Sequence, residues 1–158
     1  MNSFLTNLSA NGRRTDILER IETPAAALTL TRSATLAITT AGTTITWQTE
    51  TRNRGFTWSG TQITIPTSGY YSISFTYSAD KNATAFVFVY VNTIEVLSAV
   101  TSTNGTSALS AGTMRYFNTG DVITIRIQPT VNFVLQLVTE GAVDESPILH
   151  IVQLTGVI

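Results

Sequence analysis

The chain of 158 residues is long enough to form one domain with a sizeable core. Hydrophobic residues make up 43% of it and charged residues only 12%, about half the usual charged share. With a net charge of −1 and a single lysine, Lys81, the chain has no basic field for nucleic acid or an anionic membrane. The absence of cysteine excludes disulfides, thiol catalysis and thiolate metal sites.

Threonine and serine supply the polar surface that charged residues usually provide. Together they make up roughly a quarter of the chain. Threonine is β-branched and favours strands, so the composition already favours an all-β fold.

Residues 1–24 differ from the rest, because TDILERIE (residues 15–22) carries a helical signal. Asp16 is a candidate N-cap with Glu19 three residues later, and Pro24 ends the segment. A lone helix this short is marginal in water. Two interpretations stay open: a flexible tail, or a short helical or extended anchor that binds a partner or bundles a trimer. The candidate anchor residues are Phe4, Leu5, Leu8, Ile17, Leu18 and Ile21.

The same N-terminus lacks the apolar core of a signal peptide. No later run approaches the ~18 apolar residues of a membrane helix. We therefore expect no membrane insertion and no signal-directed secretion.

From Ala25 onward, the sequence predicts short strands separated by turns such as AGT, PTSG, STNG and NTGD. This rhythm, without a long helix or a βαβ pattern, is typical of a sandwich or jelly roll. The predicted strands are Leu28–Leu30, Thr35–Ile38, Thr43–Gln48, Thr61–Ile65, Tyr70–Tyr77, Ala85–Val91, Ile94–Val100, Ser107–Phe117, Val122–Gln128, Phe133–Val138 and Ile148–Leu154.

Two of these strands have unusual faces. The strand from Tyr70 to Tyr77 has one large apolar set and one small hydroxylated set that begins with Tyr70. The strand AFVFVYV (residues 85–91) is apolar on both faces, which favours cover on both sides by a second protomer or by the N-terminal segment. The alternative is that its aromatic residues form the core face and its valines lie outside under a loop.

Four blocks, in order, resemble the jelly-roll superfamily of the complement globular head and tumour necrosis factor. They are RNRGFTWSGTQITIPTSGYY (52–71), AFVFVYVNTIEVLSA (85–99), ALSAGTMRYFNTGDVITIRI (108–127) and SPILHIVQL (146–154). The residues that take the places of the family pattern are Asn53, Phe56, Gly60, Ile63, Pro66, Gly69, Tyr71, Asn92, Phe117, Gly120, Asp121 and Ile123. The chain departs from the family where His150 replaces a usual glycine and where no collagen-like stalk precedes the domain.

The resemblance implies a ten-stranded jelly-roll sandwich that forms trimers about a threefold axis and binds rather than catalyses. Small hydroxyl side chains would let three copies approach closely near such an axis. The candidate interface residues are Tyr70, Ser72, Ser74, Thr76, Phe86, Phe88, Tyr90 and His150.

The residues offer little for catalysis or metal binding. His150 is the only histidine, so a metal site with several imidazoles is excluded by count, and no nucleophile-elbow motif is present. We interpret His150 as a buried or interface residue; three copies near an axis could also sense acid. Asp121 fits a turn residue better than a calcium ligand, and Asp144 with Glu145 lacks an EF-hand pattern. We expect no catalytic residue, bound metal or cofactor.

A carbohydrate-binding patch is one interpretation of the aromatic residues around TETRNRG (49–55), read as a loop. Aromatic rings beside polar residues suit sugar stacking. Its candidate residues are Trp47, Arg52, Arg54 and Trp58. The other interpretation is that both tryptophans fill the ends of the sandwich.

The whole pattern leads to an expectation of a homotrimeric bacteriophage virion surface protein, assembled in the host cytoplasm. Residues 1–44 would attach to capsid or tail proteins, and residues 45–158 would form the trimeric binding domain. The favoured role is capsid decoration, cement or head fibre. A tail-associated receptor-binding protein that adheres to a host surface glycan, and a soluble lectin or ligand-like trimer, remain alternatives.

Overall fold

The computed structural model describes residues 25–103, 109–140 and 143–154, and these residues form fifteen β-strands. In chain order the strands are β1 (Ala27–Thr31), β2 (Leu36–Ile38), β3 (Thr43–Thr44), β4 (Thr49–Arg54), β5 (Thr57–Ser59), β6 (Gln62–Thr64), β7 (Gly69–Ala79), β8 (Ala83–Val91), β9 (Ile94–Thr103), β10 (Leu109–Phe117), β11 (Val122–Pro129), β12 (Phe133–Gln136), β13 (Val138–Glu140), β14 (Val143–Ser146) and β15 (Ile148–Gln153). Within these ranges there is no helix that could cross a membrane.

Two antiparallel sheets form a sandwich. Sheet 1 has seven strands in the order β2-β12-β7-β15-β1-β4, with β10 also paired to β7. Sheet 2 has six strands in the order β5-β6-β11-β8-β9, with β3 beside β11. A separate pair joins β13 and β14. The expected all-β sandwich is confirmed, whereas the described residues form more than ten strands because many short segments pair separately.

All eleven predicted strands overlap observed ones, but β4 is a correction. TETRNR was expected to be a loop, and instead it pairs with β1 along the edge of sheet 1. Its side chains are all exposed, so the segment has no apolar alternation to reveal it.

The segment assigned to attachment contributes strands to the sandwich. Three strands from residues 1–44 pair with later ones, β1 with β15 and β4, β2 with β12, and β3 with β11. The predicted anchor residues, Phe4, Leu5, Leu8, Ile17, Leu18 and Ile21, lie outside the described residues.

The core lies between the two sheets and is centred on β7. The inward residues Tyr71, Ile73, Phe75 and Tyr77 are at most 2% exposed. Successive side chains of a strand point to opposite faces of the sheet, so the buried set fixes which residues lie on the outward face. The predicted division of this strand into a core set and a small hydroxylated set is therefore confirmed.

Aromatic rings join the core residues of β7 to the rest of the sandwich. Phe75 packs edge-on against Trp47 at 5.8 Å and stacks on Tyr77 at 5.2 Å. Tyr77 stacks in turn on Phe133 at 6.0 Å. Such pairs contribute about 0.5–1.5 kcal/mol each beyond their buried area.

Polar side chains fix the turns at the ends of the strands. The Tyr71 hydroxyl donates to the Thr67 carbonyl at 2.6 Å, which holds the PTSG turn against the core. The Asp121 carboxylate accepts a hydrogen bond from the Asn118 backbone N–H at 2.8 Å, and Gly120 has a φ of +86°. Asp121 thus has the turn role expected for it.

Arg32 is a buried charged residue whose side chain holds the turn after β1. Its guanidinium donates to the carbonyl of Ala34 at 3.1 Å and to the carbonyl of Thr46. Burial lowers the pKa of Arg32 below its usual value. The contacts tie the end of β1 to the segment that leads to Trp47.

Tyr77 allows a test of core electrostatics. Burial raises its pKa, partly offset by the 2.5 Å hydrogen bond to Thr101 Oγ1. The folded state then holds the phenolic proton more tightly than the unfolded chain does. The contribution of this proton to the free energy of unfolding is therefore complete below pH 10, the ordinary pKa of tyrosine. It is lost as the pH rises above that value.

We expect Tyr77→Phe to lower the free energy of unfolding at pH 7 by about 1 kcal/mol through loss of that hydrogen bond. Between pH 10 and 11 the variant should lose less stability than the parent. Urea denaturation of both proteins at pH 7, 10 and 11 measures both effects. Equal alkaline losses in the two proteins would contradict the role given to Tyr77.

Candidate self-association face

The outward face of sheet 1 exposes large apolar side chains close together. They lie on the neighbouring strands β7, β10 and β15, and at the residue after β15. We call this surface the tyrosine face and define it by Tyr70 (54% exposed), Met114 (67%), Tyr116 (49%), Val152 (40%) and Leu154 (38%). A contiguous apolar surface of this kind marks an interaction site.

The pairing of strands explains why these side chains meet. Tyr116 stands directly opposite Tyr70, and their rings form an edge-to-face pair at 5.3 Å. Met114 and Val152 stand on either side of Ser72. Residues paired across strands point to the same side of a sheet, so one face carries all of them.

Small residues lie directly beside the five side chains of the tyrosine face, in the next row along β7. Ser74 stands between Gly112 of β10 and His150 of β15. A Cβ added at Gly112 would meet only ordinary contacts, 3.6 Å to the carbonyl oxygen of Ile73 and 4.0 Å to Ser74. The fold itself therefore does not require glycine here, whereas close approach of another backbone would benefit from it.

His150 is exposed on the same face, within a row that crosses the sheet. Its Nδ1 lies 3.1 Å from Oγ1 of Thr29, the residue opposite it on β1, which is a hydrogen-bonding distance. Arg52 of β4 stands opposite Thr29 on the other side. The structure therefore excludes burial of His150 within a single chain. Its interpretation as an interface residue remains.

The eight candidate interface residues do not form one surface. Five of them, Tyr70, Ser72, Ser74, Thr76 and His150, lie on the tyrosine face or beside it. The other three, Phe86, Phe88 and Tyr90, lie on the outward face of sheet 2.

Sequence reasoning missed four members of the tyrosine face: Met114, Tyr116, Val152 and Leu154. The signal was present in MRYF, where Met114 and Tyr116 alternate with Arg115 and the buried Phe117. In the sequence, an apolar residue on an outward face looks the same as a core residue. Only the pairing of the strands shows which face packs against the other sheet.

The strand β8 resolves the question of its two apolar faces. Ala85, Val87 and Val89 are buried, whereas Phe86 is 40% exposed. The alternative in which the aromatics formed the core face is therefore wrong. The smaller side chains face sheet 1, whose inward row already supplies large rings.

The four candidate ligand residues do not form one surface patch. Trp47 is 2% exposed and packs on Phe75 in the core, so its assignment to a surface patch is wrong. Trp58, on β5, donates from Nε1 to Glu50 Oε2 at 2.5 Å, and Glu50 also accepts from Asn53 at 2.9 Å.

Arg52 and Arg54 lie on β4, the strand that also carries Glu50. Both are exposed on β4, in register with Thr29 and Ala27 of β1. They thus border the tyrosine face at the edge of sheet 1.

The described residues offer no cluster for metal chemistry. No three side chains of His, Cys, Asp or Glu within these ranges come together in a way that could hold an ion. Asp121 is engaged with backbone and with Asn92 at 2.9 Å.

Comparison with solved structures identifies the fold. Murine APRIL at pH 5.0 superposes with a TM-score of 0.62 at 17% identity, over 82% of this chain and 99% of that one. Murine APRIL at pH 8.5 gives a TM-score of 0.60 at 16% identity over the same shares. Pika GITRL reaches only 0.49 at 15% identity, over 83% and 96%, and carries no weight.

The chain has a tumour necrosis factor-like jelly-roll fold. The resemblance of the four sequence blocks is thereby confirmed at the level of the fold, and at this identity the comparison concerns the fold alone. No protein-family model and no curated protein matches the sequence.

Proposed function

We propose that the protein is a non-enzymatic homotrimer that assembles through the tyrosine face and serves as a virion surface protein of a bacteriophage. The favoured role is capsid decoration, cement or head fibre. The observation that carries the assembly is the set of five large, exposed apolar side chains on the outward face of sheet 1, with the small residues Ser74 and Gly112 beside them.

Self-association would remove the exposed apolar side chains of this surface from water. Tyr70, Met114 and Tyr116 are each about half to two-thirds exposed. Covering side chains of this size contributes on the order of 1–2 kcal/mol each. This gain acts against the roughly 4–15 kcal/mol that association costs in lost freedom.

The virion assignment rests on composition rather than on the face. A chain without cysteine suits a protein that folds in a reducing cytoplasm, where the virion would be assembled. Genes for capsid or tail proteins beside its own would support this assignment. A neighbourhood of carbohydrate-metabolism or secretion genes would contradict it.

Two matched substitutions test the assembly surface. Met114 is 67% exposed on sheet 1 and Val100 is 66% exposed on sheet 2, and both lie in strands. Met114→Lys places a charge in the proposed interface and should weaken association at least about a hundredfold. Val100→Lys should leave the mass at three times that of the 17.1 kDa chain.

Light scattering at micromolar concentration gives the masses, and far-ultraviolet circular dichroism confirms that both variants are folded. A parent protein that is monomeric at this concentration would overturn the trimer. So would a Met114→Lys variant that assembles as well as the parent.

Oxidation of Met114 gives a second readout that does not depend on mass. Hydrogen peroxide converts an accessible methionine to its sulfoxide. In the assembled protein Met114 should react several times more slowly than in a Tyr116→Lys variant, whose assembly is expected to fail. Peptide mass spectrometry separates Met114 from Met1, the other methionine. Equal rates would show that Met114 is uncovered in the parent.

A further inference from the structure

The outward face of sheet 2 contains a groove of about 530 Å³, within the range of small-molecule sites. It lies over β11 and the start of the β8–β9 hairpin, on the side of the sandwich away from the tyrosine face. We call it the Arg126 groove. Its lining includes Thr44, Gln62, Tyr90, Asn92, Thr124 and Arg126.

Arg126 is the only charged residue of the lining, and its guanidinium is held in place. Its Nη2 donates to the Ala41 carbonyl at 2.6 Å. Its Nε is buried without a hydrogen-bond partner. The backbone at Gly42 has a φ of +88°, and a Cβ there would lie 2.6 Å from Nη2 and 2.9 Å from Cζ. Glycine thus leaves the space that the guanidinium occupies.

Tyr90 supplies an aromatic wall beside this cation. It stands opposite Thr124 on β11, and Phe88 stands opposite Arg126. The three rings of β8 follow one another at 6.2 Å from Phe86 to Phe88 and 6.3 Å from Phe88 to Tyr90. The groove therefore opens onto an aromatic strip, defined by Phe86, Phe88 and Tyr90, that continues along the strand.

The end of the groove is a fixed turn. Asn92 and Thr93 both have positive φ, 50° and 75°, as the tight β8–β9 hairpin requires. The Asn92 side chain donates to Asp121 at 2.9 Å and accepts from the Val122 N–H at 2.9 Å. Its hydrogen bonds hold the turn, so this wall is formed before any ligand arrives.

We infer that the Arg126 groove binds a carboxylate-bearing saccharide. The apolar face of a pyranose ring packs on an aromatic ring, and its hydroxyls pair with the amide of Gln62 and the hydroxyls of Thr44 and Thr124. The lining contains one guanidinium and no carboxylate, and the neighbouring Asp121 carboxylate already accepts from Asn92 and from the Asn118 N–H, so Arg126 is the charge that the groove offers to an acidic sugar. Further sugar units would extend over Phe88 and Phe86.

This inference is independent of self-association, because the groove and the tyrosine face lie on opposite sheets. A failure of the trimer leaves the groove intact, and a failure of the groove leaves the trimer intact. The two tests therefore have separate outcomes.

The test uses the full chain on an array of saccharides printed as matched acidic and neutral pairs, including sialyllactose with lactose and tri-galacturonate with its methyl ester. Binding should be confined to acidic members and should weaken as salt screens the charge. Titration calorimetry on an acidic member that binds then compares variants. Arg126→Gln and Tyr90→Ala should each lower affinity about tenfold or more.

Two further variants distinguish an effect on the groove from a general effect of substitution on saccharide binding. Gly42→Ala adds a Cβ where the guanidinium lies and should reduce binding through displacement of Arg126. Arg115→Gln is the matched control, because Arg115 also donates to a backbone carbonyl, that of Val96 at 2.8 Å, but lies outside the groove. It should bind as the parent does.

Absence of binding to every acidic member, or equal binding to acidic and neutral partners, would overturn the inference. Unchanged affinity in a folded Arg126→Gln variant would overturn it as well. Thermal unfolding of each variant establishes that it is folded.

Discussion

The strict alternation of side chains along β7 is the constraint on which the rest of the structure depends. This eleven-residue strand pairs with β10 on one side and with β15 and β12 on the other. A shift of one residue would exchange its two faces completely. The buried row of rings therefore fixes, at the same time, which residues sheet 1 presents to solvent.

The outward faces of the two sheets carry different kinds of side chains. The tyrosine face has a cluster of large apolar side chains next to a row of small residues, with two arginines at its β4 edge. The face of sheet 2 combines the aromatic strip with one fixed cation. A protein that needed only a stable core would have little reason to expose aromatic residues on both sides.

Much of this architecture could be predicted from local sequence, and the failures have physical causes. The alternation in residues 70–77 was sufficient because its two sets differ in both size and polarity. In β8 both sets are apolar, so the burial of Val87 rather than Phe86 depends on the space left by sheet 1. The strand β4 was missed because all its residues are exposed on an edge. Trp47 and Trp58 have similar local contexts, and only tertiary packing places one in the core.

The back-to-back arrangement of the two faces has a consequence for binding strength. An assembly joined through sheet 1 would leave each copy's groove free on the other side, so a trimer would display three equivalent sites. Once one site engages a polyvalent surface, the others experience a high effective concentration of ligand. Avidity can then exceed the affinity of a single site by about a hundredfold or more without any new contact. A groove with a weak intrinsic affinity would in this way be enough for lasting adhesion.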